Sequence, residues 1–141
     1  MYKISTRGQY ALLIMEELAM SAPDKYIPLK TLSHRRNLSV KYLEQILIHL
    51  SKAGLVTGSR GISGGYKLTK PASNYTIGEI LRVMEGELCP LGTFENNTIV
   101  SEGSRFFWKN FEAAINQYVD SVHLDYLAEK DREYVGYDYC I

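Results

Sequence analysis

The stretch from Ser39 to Lys70 limits what this chain can become more than any other. Val40, Leu43, Ile46, Leu47 and Leu50 recur at three- and four-residue steps, which predicts a helix with one buried stripe. Lys41, Glu44, Gln45, His49 and Lys52 lie away from that stripe. Ser39 is placed to cap the helix by accepting a backbone N–H bond, and Gly54 to end it in a left-handed turn. Leu55 and Val56 then begin a strand, and Tyr66 and Leu68 belong to a return strand. Between them Gly61, Gly64 and Gly65 permit a tight tip and close backbone approach. Arg60 stands at the tip, and Lys67 and Lys70 flank the return. A helix followed by a cationic hairpin is the layout of a recognition helix and a β-wing, and a cationic tip suits the negative minor groove of DNA.

Charge supports the same reading. The formal net charge is zero. Residues 1–70 nevertheless carry eleven Lys and Arg against four Asp and Glu, whereas residues 71–141 carry five against twelve. One half attracts a polyanion and the other repels it.

The rest of the chain fits around this unit. Lys3, Ser5, Thr6 and Arg7 precede or open an apolar helix containing Ala11, Leu12, Ile14, Met15, Leu18 and Ala19. Those four residues are candidate phosphate contacts at a helix N-terminus, with capping and solvation as their ordinary roles. Tyr10 suits either the core or the sugar–phosphate edge. Pro28 opens a short helix to about Arg36, and the tight connection to Ser39 makes a helix-turn-helix. His34, Arg35 and Arg36 are expected to face phosphate or solvent. Residues 74–85 read as a further helix, with Thr76 and Glu79 forming a capping box and Ile77, Ile80, Leu81 and Met84 facing inward. Residues 86–103 carry Gly86, Pro90, Gly92 and Gly103 and read as a linker. Residues 104–120 read as a helix with Phe107, Phe111, Ala114, Ile115 and Tyr118 at helical steps, widened by Phe106 and Trp108. So much aromatic surface on one exterior helix predicts a covering partner, and twofold pairing would set two recognition helices against a palindromic site. Ser121 is expected to cap a short final helix with Leu124, Leu127 and Ala128, followed by a tyrosine-rich tail.

Other chemistry finds little support. Cys89 and Cys140 make no disulfide framework. Cys89 suits a partly buried loop thiol or a redox-sensitive residue, and Glu87 beside it would disfavour thiolate. His34, His49 and His123 lack metal-ligand spacing. Ser63 among the wing glycines makes neither a nucleophile elbow nor a phosphate-binding loop, so no enzyme is expected. With neither a secretory signal nor a long apolar run, a cytoplasmic protein is expected.

Lys-Ile-Ser-Thr-Arg-Gly-Gln-Tyr-Ala at the start, Ser-Val-Lys-Tyr-Leu-Glu-Gln in the centre, Arg-Gly-Ile-Ser-Gly-Gly-Tyr-Lys-Leu in the wing and Thr-Ile-Gly-Glu-Ile-Leu-Arg-Val-Met-Glu-Gly after it closely resemble the bacterial IscR/CymR-type winged-helix regulators. The resemblance implies a mainly α fold: a winged helix-turn-helix over residues 1–85, a linker at 86–103, and a dimerisation helix with a tail at 104–141. It implies a homodimeric transcription factor, usually a repressor, acting on double-stranded DNA. Lys41, Glu44 and Gln45 match recognition-helix positions facing the major groove. Arg60 matches the arginine that enters the minor groove. Ser39, Tyr42, Gly64, Gly65 and Tyr66 fall within the matching motifs and are candidate DNA-binding residues, Tyr42 with core or phosphate as its partner. The cluster-binding branch carries three closely spaced linker cysteines where this chain has only Cys89. The sequence is therefore more similar to the CymR-like branch, which implies control of cysteine, sulfur or redox genes and no cofactor. That branch answers to a cysteine-synthesis enzyme, and the tail ending in Ile141 resembles the segment such a partner captures. A small effector, a thiol sensor at Cys89 and an iron–sulfur cluster with unusual ligands stay open as alternatives.

Overall fold

The computed structural model describes residues 3–89 and 101–139, with side chains as far as Tyr134. The expected residues at 90–100, Cys140 and Ile141 lie outside the described residues. Six helices and one two-stranded antiparallel sheet make up the described residues: α1 (Thr6–Met20), α2 (Leu29–Arg36), α3 (Val40–Lys52), β1 (Val56–Ser59), β2 (Gly65–Leu68), α4 (Ile77–Glu85), α5 (Glu102–Ser121) and α6 (Leu124–Tyr139).

Local chemistry sets most of these boundaries. Ser5 caps α1, its hydroxyl accepting from the Gly8 amide at 3.1 Å. Pro28 sits at the N-cap of α2, and Asn37 ends that helix in the left-handed region at φ 53°. Ser39 then caps α3 through the Tyr42 amide at 3.1 Å. Gly54 follows α3 at φ 78°, where a side chain would be strained. Thr76 caps α4 by accepting from the Glu79 amide, but the expected reciprocal bond does not form. The Glu79 carboxylate instead takes Lys70 Nζ at 3.1 Å, because a charged donor outbids a neutral amide for it.

The core gathers Ala11, Ile14, Met15 and Leu18 of α1, Leu32 of α2, Leu43, Ile46, Leu47 and Leu50 of α3, and Ile77, Ile80 and Leu81 of α4. Val40 departs from its expected place: it is 42% exposed and lies on the outer side of the first turn of α3. α6 contributes Leu124 and Ala128 as buried residues and packs along α1, where Arg132 donates to the Ala19 carbonyl at 3.0 Å. It runs well beyond the short helix expected, and Ser121 does not cap it; the Ser121 hydroxyl donates back to Tyr118 O at 2.7 Å. The start of α6 is held instead by backbone bonds, Leu124 N to Tyr75 O at 3.0 Å and Ile77 N to Val122 O at 2.9 Å.

The hairpin is tied to the body at three places. Val56 pairs with Leu68 and Ser59 with Gly65 across β1 and β2. Ile27 forms an isolated antiparallel bridge beside them, exchanging backbone bonds with Tyr66 at 2.8 and 2.9 Å. The fully buried Tyr75 closes the base: its hydroxyl donates to Leu55 O at 2.6 Å and accepts from the Thr69 amide at 2.9 Å. Thr69 Oγ1 also donates to Gly54 O at 2.8 Å.

Candidate nucleic-acid interface

On α3, Lys41, Glu44 and Gln45 are exposed, as the sequence predicts. Ile48 is exposed as well, and its spacing from Lys41 and Gln45 puts it on the same face. The outer face of α3 therefore joins a cation, an acceptor, an amide and an apolar group, the set that reads base edges and thymine methyls in a major groove. An apolar residue outside a buried stripe was the available signal for Ile48. Tyr42 does not share that freedom. It is half-buried and meets Tyr10 edge to face, ring centroids 5.7 Å apart.

The wing separates side chains that are free from backbone that is not. Arg60 is exposed at the tip. Gly64 and Gly65 shape the loop. A Cβ on Gly64 would collide with the Ser59 carbonyl, and one on Gly65, at φ 149°, with the Ile27 carbonyl. Tyr66 is half-buried, its backbone bonded to Ile27 and its ring lying over Gly58. Lys67 Nζ sits 4.8 Å from the Tyr26 ring centroid.

At the start of α1, Lys3, Thr6 and Arg7 are exposed, and Arg7 reaches His49 of α3, Nη2 to Nδ1 at 3.4 Å. Ser5 is engaged internally: its amide donates to Glu85 Oε1 at 2.9 Å and its hydroxyl bonds the same oxygen. A carboxylate from the end of α4 thus occupies the first turn that the sequence offers to a phosphate, stabilised there by the positive end of the helix. Glycine at position 8 makes room for it, since a Cβ there would collide with Glu85 Oε1.

Of the two arginines expected at phosphate or solvent, Arg35 is exposed as expected and Arg36 is half-buried. Arg35 and Arg36 pair with Glu17 of α1 at 3.4 and 3.2 Å. Glu17 and its neighbour Glu16 are both nearly buried, which helical spacing did not suggest. Burial, with Asp131 of α6 beside it, pushes the Glu16 carboxyl from 4.5 up to about 7.

Farther back, α5 is fastened to α4. Arg82 donates to Asp120 at 2.6 and 2.9 Å and to Asn116 at 2.7 Å. That pairing raises the Arg82 guanidinium and lowers the Asp120 carboxyl from their ordinary values. Elsewhere on α5, Phe106, Phe107, Phe111 and Tyr118 are exposed. Cys89 is half-buried and its thiol donates to Glu112 Oε2 at 3.3 Å. The nearby carboxylate is thus Glu112 of α5, and Glu87 contributes its backbone carbonyl to the Cys89 amide.

The comparisons agree with this geometry. Residues 4–130 match the Rrf2 family, described as iron-dependent transcriptional regulators. The chain belongs to the Rrf2 family. It is 39% identical over 126 residues, 89% of each chain, to the HTH-type transcriptional regulator CymR of Bacillus subtilis. The solved structure of that regulator, the global cysteine regulator CymR (YrzC), superposes with a TM-score of 0.83 at 38% identity, over 92% of this chain and 98% of that one. T. potens IscR superposes at 0.73 with 33% identity, over 92% of this chain and 88% of that one. An Rrf2 protein with an iron–sulfur cluster needs about four protein ligands, mostly thiolates. This member has two cysteines in its whole sequence. Cys89 is already bonded to Glu112, and no cluster of three or more His, Cys, Asp or Glu suited to a metal occurs among the described residues. Among the described residues, the donor set does not fit such a cluster. No helix among the described residues is long and apolar enough to cross a membrane.

Proposed function

We propose that this Rrf2 protein is a homodimeric repressor that reads a palindromic operator in genes of cysteine, sulfur or thiol redox metabolism. The observation that carries the reading is the uncovered face of α3, with Lys41, Glu44, Gln45 and Ile48 set beside a stiff basic wing. Glu44 accepts from a cytosine amino group, Gln45 pairs with an adenine edge, and Arg60 supplies positive charge to the minor groove. Lys3, Thr6 and Arg7 position the protein on phosphates and carry no sequence information. Dimerisation through the aromatic face of α5 would cover the largest group of exposed rings and present two wings to one duplex. The similarity to CymR supports the choice of genes, and a cysteine-synthesis enzyme acting on the tail that ends at Ile141 is the proposed controlling partner.

Sequencing the DNA bound in cells, followed by binding to a recovered site across a salt series, tests the reading. The expected result is a set of palindromic sites upstream of sulfur or redox genes, with affinity falling steeply as salt rises. Glu44→Ala should alter base preference while leaving random-sequence affinity intact. Sites without dyad symmetry, or affinity indifferent to salt, would refute it. Deleting Tyr139–Ile141 should abolish capture by a cysteine-synthesis enzyme; undiminished capture would remove that partner from the account.

A further inference from the structure

We propose that Ile62 is an apolar wedge that enters the minor groove of duplex DNA, parts a base step and bends the helix. The inference deepens the DNA-reading function above and rests on it. Ile62 is fully exposed at the turn between β1 and β2. Every other large exposed apolar side chain among the described residues lies on a helix, where a neighbouring face can cover it.

The platform beneath Ile62 is stiff. The Gly64 amide donates to the Gly61 carbonyl at 3.0 Å and closes the turn. The Ser59 carbonyl fills the space a Gly64 side chain would need, and Gly65 lies against the backbone of Ile27. Isoleucine is itself restricted at χ1, so inserting it freezes little additional motion. The occupant follows from charge: residues 56–70 hold no acid, and with Lys70 paired to Glu79 the wing keeps Arg60 and Lys67 as cations, which suits a polyanion. Arg60 lies two residues before Ile62 and supplies the cation that a narrow minor groove attracts. Apolar side chains inserted between base steps partly unstack them and kink the duplex toward the major groove.

The test uses the full chain and a duplex recovered from a random-sequence library by the wild-type protein, end-labelled with a donor and an acceptor. Wild type should raise energy transfer between the ends. Ile62→Ser should bind roughly tenfold more weakly, the effect of leaving one apolar side chain unburied, and should lose most of that gain. Its salt slope should stay unchanged because no charge is removed. Ile62→Leu should restore both affinity and bend, whereas Arg60→Ala should flatten the salt slope. Wild-type affinity and bend in Ile62→Ser would overturn the proposal. So would weaker binding accompanied by a changed oligomeric state in sedimentation, which would make the tip a contact between copies. If the wild-type protein recovers no duplex at all, the DNA-reading function falls and the wedge falls with it.

Discussion

Replacing Glu16 by glutamine should make the protein more stable at pH 8 and change the way its stability depends on pH. Glu16 is 9% exposed on α1, and the Asp131 carboxyl of α6 stands beside it. Burial is the largest cause of its raised carboxyl, followed by repulsion from Asp131, while Arg36 pulls the other way. Between 4.5 and about 7 the folded chain therefore holds a proton that the unfolded chain releases. Stability from that proton is fully present below 4.5 and is lost as pH rises through about 7. The displacement corresponds to about 3 kcal/mol at most. Glutamine offers Asp131 a permanent N–H donor, and Asp131 Oδ2 is buried with no hydrogen-bond partner. Losing the attraction of Arg36 offsets part of the gain, so Glu16→Gln should gain about 1–2 kcal/mol at pH 8, or about 3–8 °C in melting temperature. At pH 5 the gain should vanish or reverse. Urea denaturation of both proteins from pH 5 to 9 makes the measurement. Parallel pH curves for wild type and variant would refute the reasoning, as would a variant less stable than wild type at pH 8.

The other predictions concern the wing and the proposed dimer. Tyr75→Phe removes the donor to Leu55 O and should cost about 1–3 kcal/mol in urea denaturation; an unchanged midpoint would mean that the hydroxyl does not hold the base of the wing. Gly65→Ala sets a side chain against the Ile27 carbonyl at a positive φ, so it should cost at least about 2 kcal/mol and weaken DNA binding, both measurable on one preparation. Phe107→Ser with Phe111→Ser should leave the melting temperature within a few degrees, because both rings are exposed, yet convert the proposed dimer to a monomer in sedimentation.

The winged unit was legible from sequence because its signals are local. A capping serine, a glycine after the helix and a glycine-rich tip each act within a few residues, and all three sit where expected. Misreadings arose where a distant residue decides. Glu79 fits a capping box, but Lys70 claims its carboxylate. Arg36 reads as a phosphate or solvent residue because nothing nearby in sequence reveals the buried Glu17 that takes it. Ser5 meets a carboxylate eighty residues away. Val40 keeps the helical period of the core stripe, yet in the first turn no neighbouring element reaches across to cover it. The return of α6 onto α1 depends on the path between residues 76 and 124, where Thr76 and His123 form an isolated bridge. No short-range pattern encodes that path. The α3 face itself was visible as polar residues off the apolar stripe, but Ile48, which lies off that stripe as well, was not named with them.

The fastening of the hairpin bears on the thermodynamics of recognition. Strands of four residues joined by a glycine-rich tip would be marginally stable as an isolated hairpin. Here Ile27, Thr69 and Tyr75 hold it in place before any duplex arrives. On the proposed reading, association need not order this segment, and the free energy of its proposed groove contacts would appear in affinity undiminished by a folding step. A glycine-rich tip is usually read as a source of looseness; in this fold the glycines let neighbouring backbone press close enough to make the arm rigid.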